Sequence, residues 1–305
     1  MSDELTEPQV VYHYTSIETM LKIVESKSIW ATSICYLNDT SEGDHFLDLV
    51  KRRVPDFRRT HTVEDESVFD GGDEILRNDF RARPFIASFS TESDSLPQWR
   101  SYCPNGNGVA IGFSVDCLKR SSVDLSTPQA HLEFTKVEYV DGSETNSIDQ
   151  AIVEAVNSAT VLRTFASTQS QPDDIKSGAY FHFFLSRIAS AKKHKSFSNE
   201  REYRLIFREM PHSGAIRFRP VRTTLVPYVP IQISPKRTGY IEPEDSHPVL
   251  SRGAAMLAGR WDFIDSVVIG PTPNKILSRE ALAAFFEKES MNVNVRVSEV
   301  PYRDL

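Results

Sequence analysis

The side chains best suited to chemistry sit in two short stretches. One is Tyr12-His13-Tyr14-Thr15; the other is Glu200-Arg201-Glu202, followed by Tyr203-Arg204. His13 stands in a β-branched, aromatic run that belongs on a strand, so it points away from Tyr12 and Tyr14. On an extended strand Glu200, Glu202 and Arg204 share one face, and Tyr203, Leu205 and Phe207 share the other. Two carboxylates and a guanidinium in a row are costly unless they pair or meet a ligand. One reading is a solvated edge with internal ion pairs. The other is a carboxylate that orients a hydroxyl or stabilises an oxocarbenium-like cation. On these readings Glu202→Gln leaves stability within about 1 kcal/mol, or raises it by removing repulsion from Glu200. Lys195, just upstream, offers a phosphate contact.

Ser88 and Ser90, two apart near a strand end, also share a face. Gln98-Trp99-Arg100-Ser101-Tyr102 reads either as an aromatic platform beside a guanidinium or as a loop packed around Trp99. Asn38-Asp39 with Glu42 is a turn whose side chains bond their own backbone. The carboxylates suit a divalent ion, but no histidine stands at ligand spacing, and no metal is expected.

The elements that must position these groups follow from periodicity. Strands are expected at Val10 to Thr15, Ser28 to Ser33, residues 84–90, Val109 to Ser114, Leu132 to Val140, Glu202 to Phe207, Thr224 to Ile233, Ser266 to Ile269 and Val293 to Val297. The strand ending at Ser90 and the one beginning at Val109 suggest a bent pair around Asn105-Gly106-Asn107-Gly108. Helices are expected at 17–26 behind a Thr15 or Ser16 cap, Asp44 to Val54, 147–167, 173–194, 246–258 and Arg279 to Glu289. Pro172 divides the central pair. Residues 58–73 read as a polar loop, and 147–194 as a helical insertion. The strands and helices do not alternate strictly, so the expected fold is α+β: one domain over 1–305 with a mixed, mostly antiparallel sheet.

Composition narrows the function classes. A net charge of −7 denies the 305-residue chain a bulk field for nucleic acid, though a local basic patch is compatible with it. Cys35, Cys103 and Cys117 are too sparse for a disulfide framework or zinc site and read as reduced thiols. The N-terminus lacks signal-peptide character and no apolar run is long enough to span a bilayer, so a cytoplasmic protein without membrane contact is expected.

The chain resembles a bacterial family catalogued as domain of unknown function 2971. The resemblance rests on Tyr12-His13-Tyr14-Thr15, Leu37-Asn38-Asp39 with Glu42, Phe89-Ser90, Trp99-Arg100-Ser101-Tyr102, Gly108-Val109-Ala110-Ile111-Gly112-Phe113, Glu200-Arg201-Glu202-Tyr203-Arg204, Val268-Ile269-Gly270-Pro271-Thr272 and Ser298-Glu299-Val300-Pro301-Tyr302-Arg303. Phe197 stands where that family usually has tryptophan. More distantly the chain resembles the ADP-ribosyltransferases, which open with a strand-borne histidine, continue with a Ser-Thr-Ser-like strand end and finish with a strand-borne glutamate. Here the order is His13, Ser88-Phe89-Ser90-Thr91, then Glu200-Arg201-Glu202, with Tyr14 where a glycine is common.

That second resemblance implies an ADP-ribosyltransferase-like core using NAD as substrate, with His13, Glu200 and Glu202 catalytic. Tyr12, His13, Tyr14, Thr15, Ser88, Ser90, Trp99 and Arg204 would bind the cofactor. It further implies a nucleic-acid or protein acceptor, and families of this kind occur in phage defence and toxin systems. Two other readings stand beside it: a non-catalytic sensor or interaction module of the same fold, and a metal-dependent nuclease using Asp39, Glu42, Glu200 and Glu202.

Overall fold

A computed structural model describes residues 7–37, 44–64, 66–69, 83–103, 108–123, 131–168, 177–208, 214–221, 223–235 and 263–301. The Asn38-Asp39-Glu42 turn, Pro172, the expected helix at 246–258, and Tyr302 and Arg303 lie outside them.

The framework is a ten-stranded sheet among the described residues. Its strands are β1 (Val10–Thr15), β2 (Ser28–Ser33), β3 (Phe85–Ser90), β4 (Val109–Ser114), β5 (His131–Lys136), β8 (Glu202–Arg208), β9 (Arg217–Val221), β10 (Thr224–Gln232), β11 (Ile264–Ile269) and β12 (Asn294–Val297). The order is β12-β11-β4-β1-β3-β2-β10-β9, and β8 lies between β3 and β5. Only the β11–β12 pairing in this sheet is parallel, and that follows from the crossover helix between them. With the helices described below, this is the α+β class with a mixed, mostly antiparallel sheet. The expected pairing of β3 with β4 is not formed, because β1 runs between them.

One edge of β3 is paired along its whole length with β8. Its other edge is shared. β2 takes Phe85 and Ile86 near its start, and β1 takes Ser90 at its end. Between those contacts β1 and β2 splay apart and leave a notch at Ala87 to Phe89.

Strand alternation sorts the sheet into two faces. Val11, Ile29, Ala31, Phe85, Ala87, Phe89, Ile111, Phe113, Leu205, Phe207, Val229 and Ile231 line the main core. Among the described residues, α1 (Ile17–Ser26), α4 (Val115–Lys119) and α7 (Lys275–Lys288) cover that face. Ser16 caps α1, its Oγ accepting from the Thr19 amide at 3.1 Å. Met20, Ile23 and Val24 then fall on its buried side. Each such apolar side chain, fully buried, contributes roughly 1.5–3 kcal/mol.

The opposite face carries α3 (Leu96–Tyr102), a short parallel pair of β6 (Glu138–Val140) and β7 (Lys192–His194), and a block of α2 (Asp44–Thr60), α5 (Thr145–Thr168) and α6 (Ser177–Ala189). That block has its own apolar cluster, including Phe46, Phe57, Ile152, Phe181 and Leu185. Four expectations are corrected here. The stretch Gln98 to Tyr102 is helical, not a loop. The 173–194 helix ends at Ala189, and Lys192–His194 turns into a strand. Leu132 to Val140 is two strands, β5 and β6, separated at Val137. The expected loop from 58 is helical through Thr60, since α2 runs through Pro55 to bury Phe57, and Arg53 on its previous turn makes a two-point ion pair with Asp149. A 3-10 turn, Glu66–Phe69, follows. No helix among the described residues is long and apolar enough to cross a membrane.

Candidate functional site

The notch in the sheet is where the sequence motifs meet. A cavity of about 60 Å³ there is lined by Tyr12, His13, Tyr14, Ser88, Phe89, Ser90, Gln98, Tyr102, Glu200 and Glu202. Four separate stretches of sequence contribute to it: β1, β3, α3 and the turn into β8.

His13 lies within the notch. By strand parity it shares the core side with Phe89, whose ring lies 5.8 Å away, while Tyr12, Tyr14, Ser88, Ser90 and Glu202 belong to the other side. The splayed strands leave the Ser88 carbonyl without a ladder partner on that edge, and His13 Nδ1 donates to it at 2.9 Å. This bond places the proton on Nδ1 and leaves Nε2 as an acceptor. Burial lowers the His13 pKa; the Ser88 bond opposes this and the Arg219 charge adds to it. The imidazole is therefore neutral near pH 7.

The Glu-Arg-Glu triplet is not a continuous strand. Residues 195–200 form a 3-10 turn, and Arg201 adopts a left-handed conformation (φ 46°) before β8 begins at Glu202. The expectation that Glu200, Glu202 and Arg204 share a strand face holds only for the last two. Instead, the sharp turn folds both carboxylates onto one cation. Lys193 Nζ lies 2.7 Å from Glu200 Oε2 and 3.2 Å from Glu202 Oε2. Arg204 Nε and Nη2 grip Glu202 at 2.7 and 3.1 Å. The side chains of Arg204, Lys193 and Glu202 are 0, 3 and 4 % exposed, against 22 % for Glu200. β8 is thus no solvated edge but an interior strand. Burial alone would raise the Glu202 pKa; the charges of Arg204 and Lys193, with hydrogen bonds from Arg204 and Ser88, outweigh it and hold the carboxyl below its ordinary value. The premise behind a harmless Glu202→Gln, a surface pair or unrelieved repulsion from Glu200, does not hold, because a positive charge lies between the two carboxylates and removing one leaves cations stranded.

The arginines of β8 also tie the sheet to the helical block. Arg204 Nη1 donates to the Ser190 carbonyl at 2.8 Å, and Arg208 Nη2 donates to the Arg187 carbonyl at 2.9 Å. Both carbonyls lie at the end of α6, where helices leave such groups unpaired. Tyr139 of β6 accepts from the Glu202 amide at 2.8 Å, and burial pushes its phenol up to about 12. Ser90 Oγ donates to the Glu200 carbonyl at 2.7 Å and accepts from the Glu92 amide, so it holds the turn that presents Glu200.

Three residues expected to touch a cofactor lie elsewhere. Trp99 is fully buried against Tyr14, its indole donating to Asp94 at 2.7 Å. Arg204 is sealed in the ion network. The Thr15 carbonyl accepts from Cys103, and its side chain is not among those lining the cavity. Tyr14 reaches the cavity, yet its hydroxyl is spent on the Glu92 carbonyl and the Ser95 amide. Lys195 pairs with Asp141 at 3.1 Å and takes no part. Sequence reasoning missed Lys193, which it placed in a helix, and gave Gln98 and Tyr102 no role of their own. Phe197 does more than fill space, since the Lys193 ammonium lies 4.9 Å from its ring centroid.

Among the described residues no group of three or more His, Cys, Asp or Glu side chains is placed to hold a metal ion. The described cysteines are free thiols, Cys35 exposed and the other two buried. No curated protein and no solved structure matches the chain. Residues 98–205, the segment from α3 into β8, match the family model described as protein of unknown function (DUF2971), a narrower span than the motifs alone suggest.

Proposed function

We propose that this chain is an ADP-ribosyltransferase-like protein that engages NAD at the notch and has Glu200 as its working carboxylate. The observation that carries the reading is that Ser88, Ser90, Glu200 and Glu202 line one cavity from separate segments, and that His13, although on the core side of the sheet by strand parity, also borders it through the notch. His13 Nε2 would accept from a ribose hydroxyl. Glu200, partly exposed beside Lys193, would meet the 2′-hydroxyl and stabilise the cation that forms as nicotinamide leaves. Glu202, gripped by Arg204 and Lys193, would hold Lys193 and the turn in place. The hydrogen-bonding groups suit a ribose, but about 60 Å³ holds only a few waters, so binding requires the Tyr102 rim to move. The acceptor is a nucleic acid or a protein, and a place in phage defence or a toxin system fits this reading.

A second reading has its own support. The saturation of Glu202 by two cations and the small cavity favour a non-catalytic sensor or interaction module. A lysine sits where a metal-dependent nuclease would need a divalent ion between Glu200 and Glu202, which weighs against that third reading.

The test is nicotinamide release from NAD by purified protein with candidate acceptors, alongside binding of NAD by calorimetry. Turnover abolished by Glu200→Gln supports the transferase. NAD binding without turnover under every acceptor condition supports the sensor. Absence of NAD binding by folded protein ends the transferase reading and leaves an interaction module that does not use NAD.

A further inference from the structure

Across β2, β10 and β9, on the cavity side of the sheet, lies a second cluster that the reading above does not use. Trp30 of β2 stacks on Tyr228 of β10, with centroids 4.5 Å apart and planes at 29°. The Arg219 guanidinium of β9 lies over both rings, 5.6 and 5.9 Å from their centroids. Its Nη2 donates to Thr32 Oγ1 at 3.0 Å, but Nε is buried with no partner among the described residues. Arg208 also has an unpartnered Nε, yet it is neutralised by Glu133 at 2.8 Å. Arg219 has no such carboxylate among the described residues. Burial works against its charge, and the group favouring that charge is the Tyr228 phenol. Arg217, two residues back, shares the strand face of Arg219 and is exposed.

We propose that Trp30, Tyr228 and Arg219 form a binding site for a nucleobase that carries a phosphate. The argument is one of complementarity. Stacked aromatic rings offer a π-face to any base. A half-buried guanidinium with no carboxylate beside it among the described residues is an acceptor-seeking cation; Nε is enclosed, so a phosphate would meet its Nη edge. Arg217 adds a second positive charge on the same face, in a chain whose net charge of −7 otherwise repels polyanions. None of the three residues lines the notch cavity, although the Arg219 charge is felt at His13.

The test follows tryptophan fluorescence and calorimetry on the full chain with adenosine monophosphate, adenosine, inorganic phosphate and a single-stranded oligoadenylate. The monophosphate is expected to quench saturably and to bind about tenfold or more tighter than adenosine or phosphate, the scale of joining a stacking contact to a charged one. Arg219→Gln should remove that advantage while adenosine binding persists, and Arg219→Lys should restore part of it. Trp30→Phe should abolish the quench with little loss of affinity. Tighter binding of the oligoadenylate identifies a nucleic-acid strand as the source, and equal binding a free nucleotide. Glu200→Gln should leave all of this unchanged, which separates the result from the fate of the transferase reading. Monophosphate affinity that survives Arg219→Gln intact, or no binding of either nucleotide by folded protein, overturns the proposal.

Discussion

The sharpest prediction is Glu202→Gln. The substitution keeps the shape of the side chain and one acceptor oxygen, and removes the charge that Arg204 and Lys193 share. Both cations are almost wholly buried, with contacts of 2.7 to 3.2 Å to that carboxylate. Breaking a buried ion pair by removing one partner costs about 3–5 kcal/mol, because the surviving charge is left without compensation. Glu200 relieves part of this for Lys193, so a loss at the low end of that range, about 3 kcal/mol, is expected. Glu200→Gln weakens a partly exposed contact to Lys193 and should cost only about 1 kcal/mol. Urea unfolding of both variants reads the difference as a shift of midpoint at constant slope. A double variant carrying Lys193→Met as well as Glu202→Gln should be less destabilised than the sum of its parts, since it removes one stranded cation along with its partner. A Glu202→Gln loss below about 1 kcal/mol, the range of surface pairs, would refute the buried network.

Other outcomes follow from the same structure. His13 has a lowered pKa when folded, so below about 6.5 the unfolded chain binds a proton that the native state refuses, and stability should rise with pH up to that value. His45 acts in the same direction, and a His13→Asn variant should show a shallower slope between about pH 5 and 7. Glu202, with its lowered pKa, supplies stability above the ordinary carboxyl range that is lost on further acidification, and Glu202→Gln should remove this acid-side loss from the unfolding profile. Asp94 accepts from Trp99 Nε1, Ser298 Oγ and the Glu299 amide at 2.6 to 2.8 Å, so Asp94→Ala should cost about 2–4 kcal/mol and increase proteolysis of the tail. Gly112→Ala places a Cβ 2.6 Å from Ser266 Oγ and 3.0 Å from Tyr12, and the resulting overpacking should lower the urea midpoint by an amount equivalent to about 1–3 kcal/mol.

Local patterning was enough to place much of the framework. The alternation in Val10–Thr15 and Ser28–Ser33, the Ser16 cap with its apolar spacing, and the alternating approach to Val297 were all legible, because strand and helix periods are written residue by residue. So were the residues destined for one cavity, since His13, Ser90 and the Glu-Arg-Glu triplet have types that are unusual for their surroundings. Long-range pairing was not legible. β1 lies between β3 and β4, β8 is an interior strand, and Lys193 leaves α6 to sit beneath two glutamates, yet none of these contacts leaves a local signature. The left-handed Arg201 is a further case: a non-glycine residue gives no sign in sequence that it will bend the chain. The roles of the two glutamates depend on that bend. Sequence alone determined that a carboxylate pair stands beside a strand. Only the tertiary structure decided that one carboxylate is neutralised in the interior while the other faces the notch, because burial and charge compensation are properties of the neighbours that folding brings together.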